Sequence, residues 1–241
     1  MIDLRLGRWQ DALADVTECD VVMCDPPYSD GTHENYLSGS GKQKIDGYSA
    51  FGITDRIELC EWVAEVCRWW AIFFGDYETN ATYMREMDRL GWLSFRPVIW
   101  TKRGAAPRMS GDGPASQVEY ISISRRRGKL PSEEPSKRSG SRPGWYITGL
   151  APPSERFHGF VGQKPVALMS ALIRDYTLPG DLIVDPFCGS GTTAIAAREM
   201  GRSCITSEMD PNTYKKAKQR IEKPWSPQLP GMADFDGDEE G

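Results

Sequence analysis

The stretch from Leu182 to Met200 constrains this chain more than any other. Leu182-Ile183-Val184 is a short, wholly apolar run of the kind found inside a parallel sheet. It ends on Asp185-Pro186 and passes into Phe187-Cys188-Gly189-Ser190-Gly191. Thr192 to Met200 then reads as a helix, with Gly201 placed as its C-cap residue. A strand, a glycine turn and a helix in that order let a ligand approach the backbone and present oriented N–H groups to it. A further strand follows at Ser203 to Thr206, and Glu208 after it is well placed to accept hydrogen bonds from ribose hydroxyls. Asp210-Pro211 has the cap-then-proline order that opens another helix. The turn is not GxGxxG, and no lysine follows its last glycine, so neither the dinucleotide fingerprint nor a P-loop fits.

A second motif stands far upstream. Asp20 to Cys24 reads as a strand that must stop at Asp25-Pro26-Pro27-Tyr28, because proline cannot donate to a sheet ladder. A carboxylate and a rigidly placed carbonyl can together accept both protons of an exocyclic amine, and Tyr28 offers a face on which a planar base can stack. Between the motifs, residues 29–49 read as a long loop, Thr54 to Trp70 as a helix and Trp70 to Phe74 as a buried strand. Asn80 to Leu90 reads as a helix stopped by Gly91, and Leu93 to Thr101 and Val118 to Ser124 as strands. Gly104 to Gly144 is dominated by Gly, Pro, Ser and Arg and reads as an insertion on the sheet. Pro165 to Tyr176 is expected to be helical.

Charge is divided unevenly. The net charge is -5, and the tail from Pro224 to Gly241 carries five acids and no base. Lys102 to Arg142 holds ten bases against four acids, with Arg125-Arg126-Arg127 the densest cluster. Local charge governs phosphate binding, because screening cuts off interactions beyond about 10 Å. The six cysteines form no CxxC pair and lie near neither histidine in sequence, so no metal site is expected and buried, reduced thiols are. The most apolar run, Cys60 to Gly75, contains Glu61, Glu65 and Arg68 and is too short and charged to span a bilayer. No secretory signal is visible at the N-terminus, and a cytoplasmic location is expected.

Asp25-Pro26-Pro27-Tyr28, Gln163-Lys164-Pro165 and Asp185-Pro186-Phe187-Cys188-Gly189-Ser190-Gly191-Thr192-Thr193, in that order, resemble the amino-methyltransferases of DNA. With the catalytic motif N-terminal to the cofactor motif, the chain looks like their circularly permuted beta group. The resemblance implies an α/β, Rossmann-like S-adenosylmethionine-dependent methyltransferase fold: a mixed, mostly parallel sheet with helices on both faces and a small insertion. It implies catalytic roles for Asp25, Pro26, Pro27 and Tyr28, with Asp25 and the Pro26 carbonyl holding the target amine. It implies that Lys164, Pro165, Asp185, Pro186, Phe187, Gly189, Ser190, Gly191 and Glu208 bind S-adenosyl-L-methionine. Two positions depart from the family. Gly7-Arg8 stands where Gly-Asp is usual, so that either Asp11 substitutes or that contact is absent. Only the Gln-Lys-Pro half of the His-Pro-Thr-Gln-Lys-Pro run is present.

On this reading residues 1–101 form the N-terminal part of the catalytic domain. Residues 102–157 form a target-recognition insertion, 158–223 the cofactor-binding part and 224–241 an acidic tail. Arg103, Arg125, Arg126 and Arg127 are expected to contact DNA. The expected reaction is methylation of N6 of a flipped-out adenine in double-stranded DNA, with no membrane partner and a homodimer left open. Within the family Asp-Pro-Pro-Tyr leans to adenine. A cytosine-N4 enzyme, an RNA methyltransferase on the same scaffold and a non-catalytic DNA-binding module remain the alternatives. A nicotinamide oxidoreductase would leave the proline motif unexplained.

Overall fold

A computed structural model describes residues 1–27, 51–105, 111, 113–128, 142–156 and 162–225. Among these residues nine strands form one sheet: β1 (Ile2–Leu6), β2 (Cys19–Cys24), β3 (Cys67–Gly75), β4 (Leu93–Ser94), β5 (Val98–Arg103), β6 (Val118–Arg125), β7 (Trp145–Gly149), β8 (Leu182–Asp185) and β9 (Ser203–Glu208). The spatial order is β1-β9-β8-β2-β3-β6-β5-β7, with β4 also paired to β6. The run from β1 to β3 is parallel throughout, and β6 is antiparallel to both β3 and β5. The helices are α1 (Trp9–Ala12), α2 (Ile53–Val66), α3 (Tyr77–Arg89), α4 (Val166–Tyr176), α5 (Thr192–Glu199) and α6 (Pro211–Glu222).

Two apolar clusters, one on each side of the sheet, make three layers. Side chains of α4, α5 and α6 pack with Val21, Met23, Ile72, Phe74, Trp100, Ile121 and Ile183 on one face. Side chains of α1, α2 and α3 pack with Val22, Cys24, Ala71, Phe73 and Val184 on the other. That division follows from the two-residue period of a strand, since neighbouring positions of β2, β3 and β8 fall into opposite clusters. The connections leave β8 and β2 in opposite directions across the sheet. The boundary between these two strands is therefore a switch point, where ligands bind at the carboxyl ends of α/β sheets. All six cysteines are buried free thiols. Among the described residues no helix is long and apolar enough to cross a membrane.

Several elements differ from the sequence reading. α2 stops at Val66 and β3 begins at Cys67, because Trp70 and the residues after it are drawn into the sheet beside β2 and β6. α3 starts three residues earlier than expected, where the Asp76 carboxylate accepts from the Thr79 N–H at 2.8 Å and caps the helix. The expected strand from Leu93 to Thr101 is broken into β4 and β5, with Pro97 in the gap. Within residues 102–157, β6 lies in the sheet between β3 and β5, and β7 pairs with β5. The proposed boundary at residue 102 thus falls inside β5, and the segment is partly built from strands of the main sheet. Tyr28, the whole loop at 29–49 and nearly all of the acidic tail lie outside the described residues.

Candidate active site

Strand alternation decides which side chains meet at the switch point. Asp25 continues the face of Val21 and Met23, Asp185 that of Ile183, Phe74 that of Ile72, Glu119 that of Ile121, and Lys102 that of Trp100. All five therefore stand on the α4 side of the sheet, and Lys164 reaches the same place from the segment leading into α4. The Lys164 ammonium donates to Asp25 Oδ2 and lies 3.2 Å from Glu119 Oε2. Glu119 Oε1 is 3.1 Å from Lys102 Nζ. Phe74 lies beneath the ammonium, its ring centroid 5.1 Å from Nζ. Both lysines are buried. Burial pulls the Lys164 pKa down, yet the Asp25 and Glu119 carboxylates more than reverse that pull and raise it, so the ammonium form persists.

The glycine turn lies across the switch point from Asp25. Gly189 (φ 51°) and Gly191 (φ 80°) adopt left-handed backbone that other residues rarely take. A Cβ on Gly191 would also come within 2.9 Å of the Ile221 side chain. The Arg220 guanidinium of α6 donates to the Ser190 carbonyl at 2.7 Å and to Thr192 Oγ1 at 3.1 Å, fixing the turn from below. The Glu208 carboxylate accepts from the Gly189 N–H at 3.0 Å and from the Asp210 N–H at 2.9 Å. Burial raises the Glu208 pKa, and these two N–H groups moderate the rise.

Asp185 is a strongly perturbed acid of the site. It accepts from the Phe187 N–H at 3.0 Å and from the Thr193 hydroxyl. Burial pushes its pKa up to about 7, those hydrogen bonds oppose the rise, and the Asp25 and Glu208 charges add to it. Its hydrogen-bonding partners among the described residues are neutral. A buried carboxylate with neutral partners fits a positively charged ligand group. S-adenosylmethionine, with its sulfonium and ammonium, meets that requirement. Pro165 N-caps α4, and the Glu155 carboxylate accepts from the Val166 N–H at 3.1 Å. The Gly7-Arg8 departure lies at the end of β1. The Gly7 N–H donates to the Glu208 carbonyl at 2.9 Å, Arg8 N-caps α1, and Asp11 is exposed.

The triple arginine stands apart from these groups. β6 runs antiparallel to β3, so Arg125 pairs with Trp70 while Tyr120 pairs with Gly75 beside the site. Five residues of strand, about 17 Å, separate those two levels. Arg125, Arg126 and Arg127 thus lie at the opposite end of the sheet from Asp25. Arg126 donates to the Ala64 and Cys67 carbonyls and stacks over the Trp92 ring, closing the C-terminus of α2. Arg103 ends β5 and is exposed at the level of the site. Glu119 and Lys102 had no sequence signal beyond their charge, because only the register of β5 against β6 brings them together.

The site and the sheet order define an S-adenosylmethionine-dependent methyltransferase fold. A family model described as DNA methylase, covering N6 and N4 amino-methyltransferases, matches residues 19–219, and the chain belongs to that family. It is similar to the type II methyltransferase M.SmaI of Serratia marcescens, 28% identical over 141 residues. That match takes in 54% of this chain and 47% of the relative, so the chain spans about half of that protein's length. It is also similar to the type II methyltransferase M2.DpnII of Streptococcus pneumoniae, 27% identical over 84% of this chain and 82% of the relative. Among solved structures, the M1.HpyAVI–SAM complex superposes with a TM-score of 0.67 at 19% identity, covering 92% of this chain and all of that one. The PvuII DNA methyltransferase, cytosine-N4-specific, superposes with a TM-score of 0.67 at 16% identity, over 92% and 86% of the two chains. The cofactor of the family is S-adenosylmethionine.

Proposed function

We propose that this chain methylates an exocyclic amine of a base flipped out of double-stranded DNA, with Asp25 and the Pro26 carbonyl as the acceptors of the amine protons. The observation that carries the reading is the placement of Asp25, which stands at the switch point beside the glycine turn with a buried ammonium on one oxygen. An aromatic amine is a poor nucleophile, because its lone pair is delocalised into the ring. Two acceptors on its protons favour a tetrahedral nitrogen with a localised lone pair. Asp185, Gly189, Gly191 and Glu208 would hold S-adenosylmethionine, which supplies an electrophilic methyl group when bound. Asp25 and Pro26 would orient the amine for in-line attack: the N–C bond forms as the S–C bond breaks and leaves a neutral thioether, and the methylated nitrogen then loses one proton to solvent. The target amine is inaccessible inside a duplex, so the base must leave the stack. Tyr28 would stack on it and offset part of that cost, about 1–3 kcal/mol.

Adenine N6 is the proposed target, on the family tendency of Asp-Pro-Pro-Tyr. Cytosine N4 is the second reading, because the same two acceptors serve either amine and a cytosine-N4-specific enzyme shares the fold. Phosphate contacts would come from Arg103 and the segment around it. The role of residues 102–157 in recognising the target sequence is part of this proposal. The test is Asp25→Ala. It should bind S-adenosylmethionine within about twofold of wild type and lose turnover by about 1000-fold or more. Retained turnover would refute the assignment.

A further inference from the structure

We infer that Glu119 is a positioning residue for methyl transfer: it shares the Lys164 ammonium with Asp25 and so balances the charge that faces the target amine. The inference rests on Asp25 holding that amine. The groups form a chain of alternating sign, Lys102, Glu119, Lys164 and Asp25, linked at 3.1 Å and 3.2 Å and then by the Lys164–Asp25 bond. The four formal charges cancel. Every member comes from a different segment: β5, β6, the approach to α4 and the end of β2. A buried chain of this kind is costly to desolvate, and a fold needing only stability could place apolar side chains there.

Its position gives it work in the reaction. The Lys164 ammonium donates to Asp25 Oδ2, which is the role assigned to the amine protons. An ammonium held by Asp25 alone would compete with the amine. It would also set an unbalanced positive charge beside a nitrogen that becomes cationic during transfer. Glu119 draws the ammonium toward itself and cancels that charge. Among the described residues, the groups around Lys164 include Asp25, Glu119, the Gly162 carbonyl at 3.4 Å and the Phe74 ring, with Lys102 behind Glu119. Around Asp25 stand Lys164, Asp185 and the buried Cys24 thiol.

Removing the Glu119 charge leaves two lysines against one carboxylate. Glu119→Gln should lower kcat by about 10- to 100-fold, the scale of one uncompensated charge at partly buried range. The Kd for S-adenosylmethionine and the KM for DNA should stay within about twofold. Burial would then pull the Lys164 proton off at lower pH, which restores neutrality, so the kcat deficit relative to wild type should shrink as pH rises. Glu119→Asp should recover part of kcat. The double variant Lys102→Met with Glu119→Gln is electrically neutral again, and it should turn over faster than Glu119→Gln alone.

A merely structural Glu119 gives a different pattern. Both Glu119 variants would then lose thermal stability, the double variant would be worse than the single, and the pH profile of the folded fraction would match wild type. That pattern, or an unchanged kcat in Glu119→Gln, overturns the inference. Failure of the underlying reading is separable, since it appears as turnover retained in Asp25→Ala. An inactive Asp25→Ala beside a fully active Glu119→Gln sinks only the inference drawn here.

Discussion

Asp185→Asn should make the cofactor-free protein more stable than wild type, by an amount that grows with pH. The Asp185 pKa moves from 3.8 to about 7 on folding, with burial as the main cause. The folded state therefore binds more protons than the unfolded state between those values, and its stability falls as pH rises through that window. Each unit costs up to about 1.4 kcal/mol, which gives about 4 kcal/mol as an upper bound and about 2–4 after local relaxation. Asparagine keeps an oxygen for the Phe187 N–H and carries no charge to desolvate. Urea unfolding at a series of pH values would read the difference. The variant should exceed wild type by about 1–1.5 kcal/mol near pH 5 and by about 2–4 kcal/mol near pH 8. A gap that stays constant across the series would refute the argument. The same carboxylate should ionise when a cationic ligand binds. At pH 7 wild type should release about half a proton per S-adenosylmethionine bound, measured by calorimetry in buffers of different ionisation enthalpy. Asp185→Asn should release none by this route and bind far more weakly.

Gly191→Ala meets both a left-handed φ and the Ile221 side chain. It should lose about 1–3 kcal/mol of stability by chemical denaturation and weaken cofactor binding. Gly189→Val should abolish that binding through the same backbone strain at φ 51°. Arg126→Ala should cost about 1 kcal/mol through the lost closure of α2 and leave the salt dependence of DNA binding unchanged. Arg103→Ala should reduce the slope of log K against log salt by about one, in titrations at several salt concentrations.

The two motifs were legible because each is a local rule with few solutions. An apolar strand that ends on an acid and a rigid turn leaves that acid at the carboxyl end of the strand. Asp25 and Asp185 both obey this. The helix that follows Gly191 and the Asp210 cap of α6 were legible for the same reason. The place of the triple arginine relative to the site was not legible, because charge density along a chain says nothing about strand direction. Once β6 is antiparallel to β3, Arg125 is carried to the far end of the sheet while Glu119 arrives at the site. β7 escaped notice because Trp145 to Gly149 follows a long Gly-, Pro- and Ser-rich segment, and its pairing partner β5 lies more than forty residues earlier. Lys164 was read as a cofactor residue from its motif. Its bond to Asp25 spans 139 positions and depends on α4 covering the sheet face that Asp25 shares.

Transfer of a labelled methyl group tests the central claim most directly. The full-length protein is incubated with methyl-labelled S-adenosylmethionine and duplex DNA, and the DNA is digested to nucleosides and separated by chromatography. Label in N6-methyladenine, lost in Asp25→Ala, is the expected result. Label in N4-methylcytosine would correct the base and leave the amine mechanism in place. Label on a ring carbon, or only on RNA, would contradict the account.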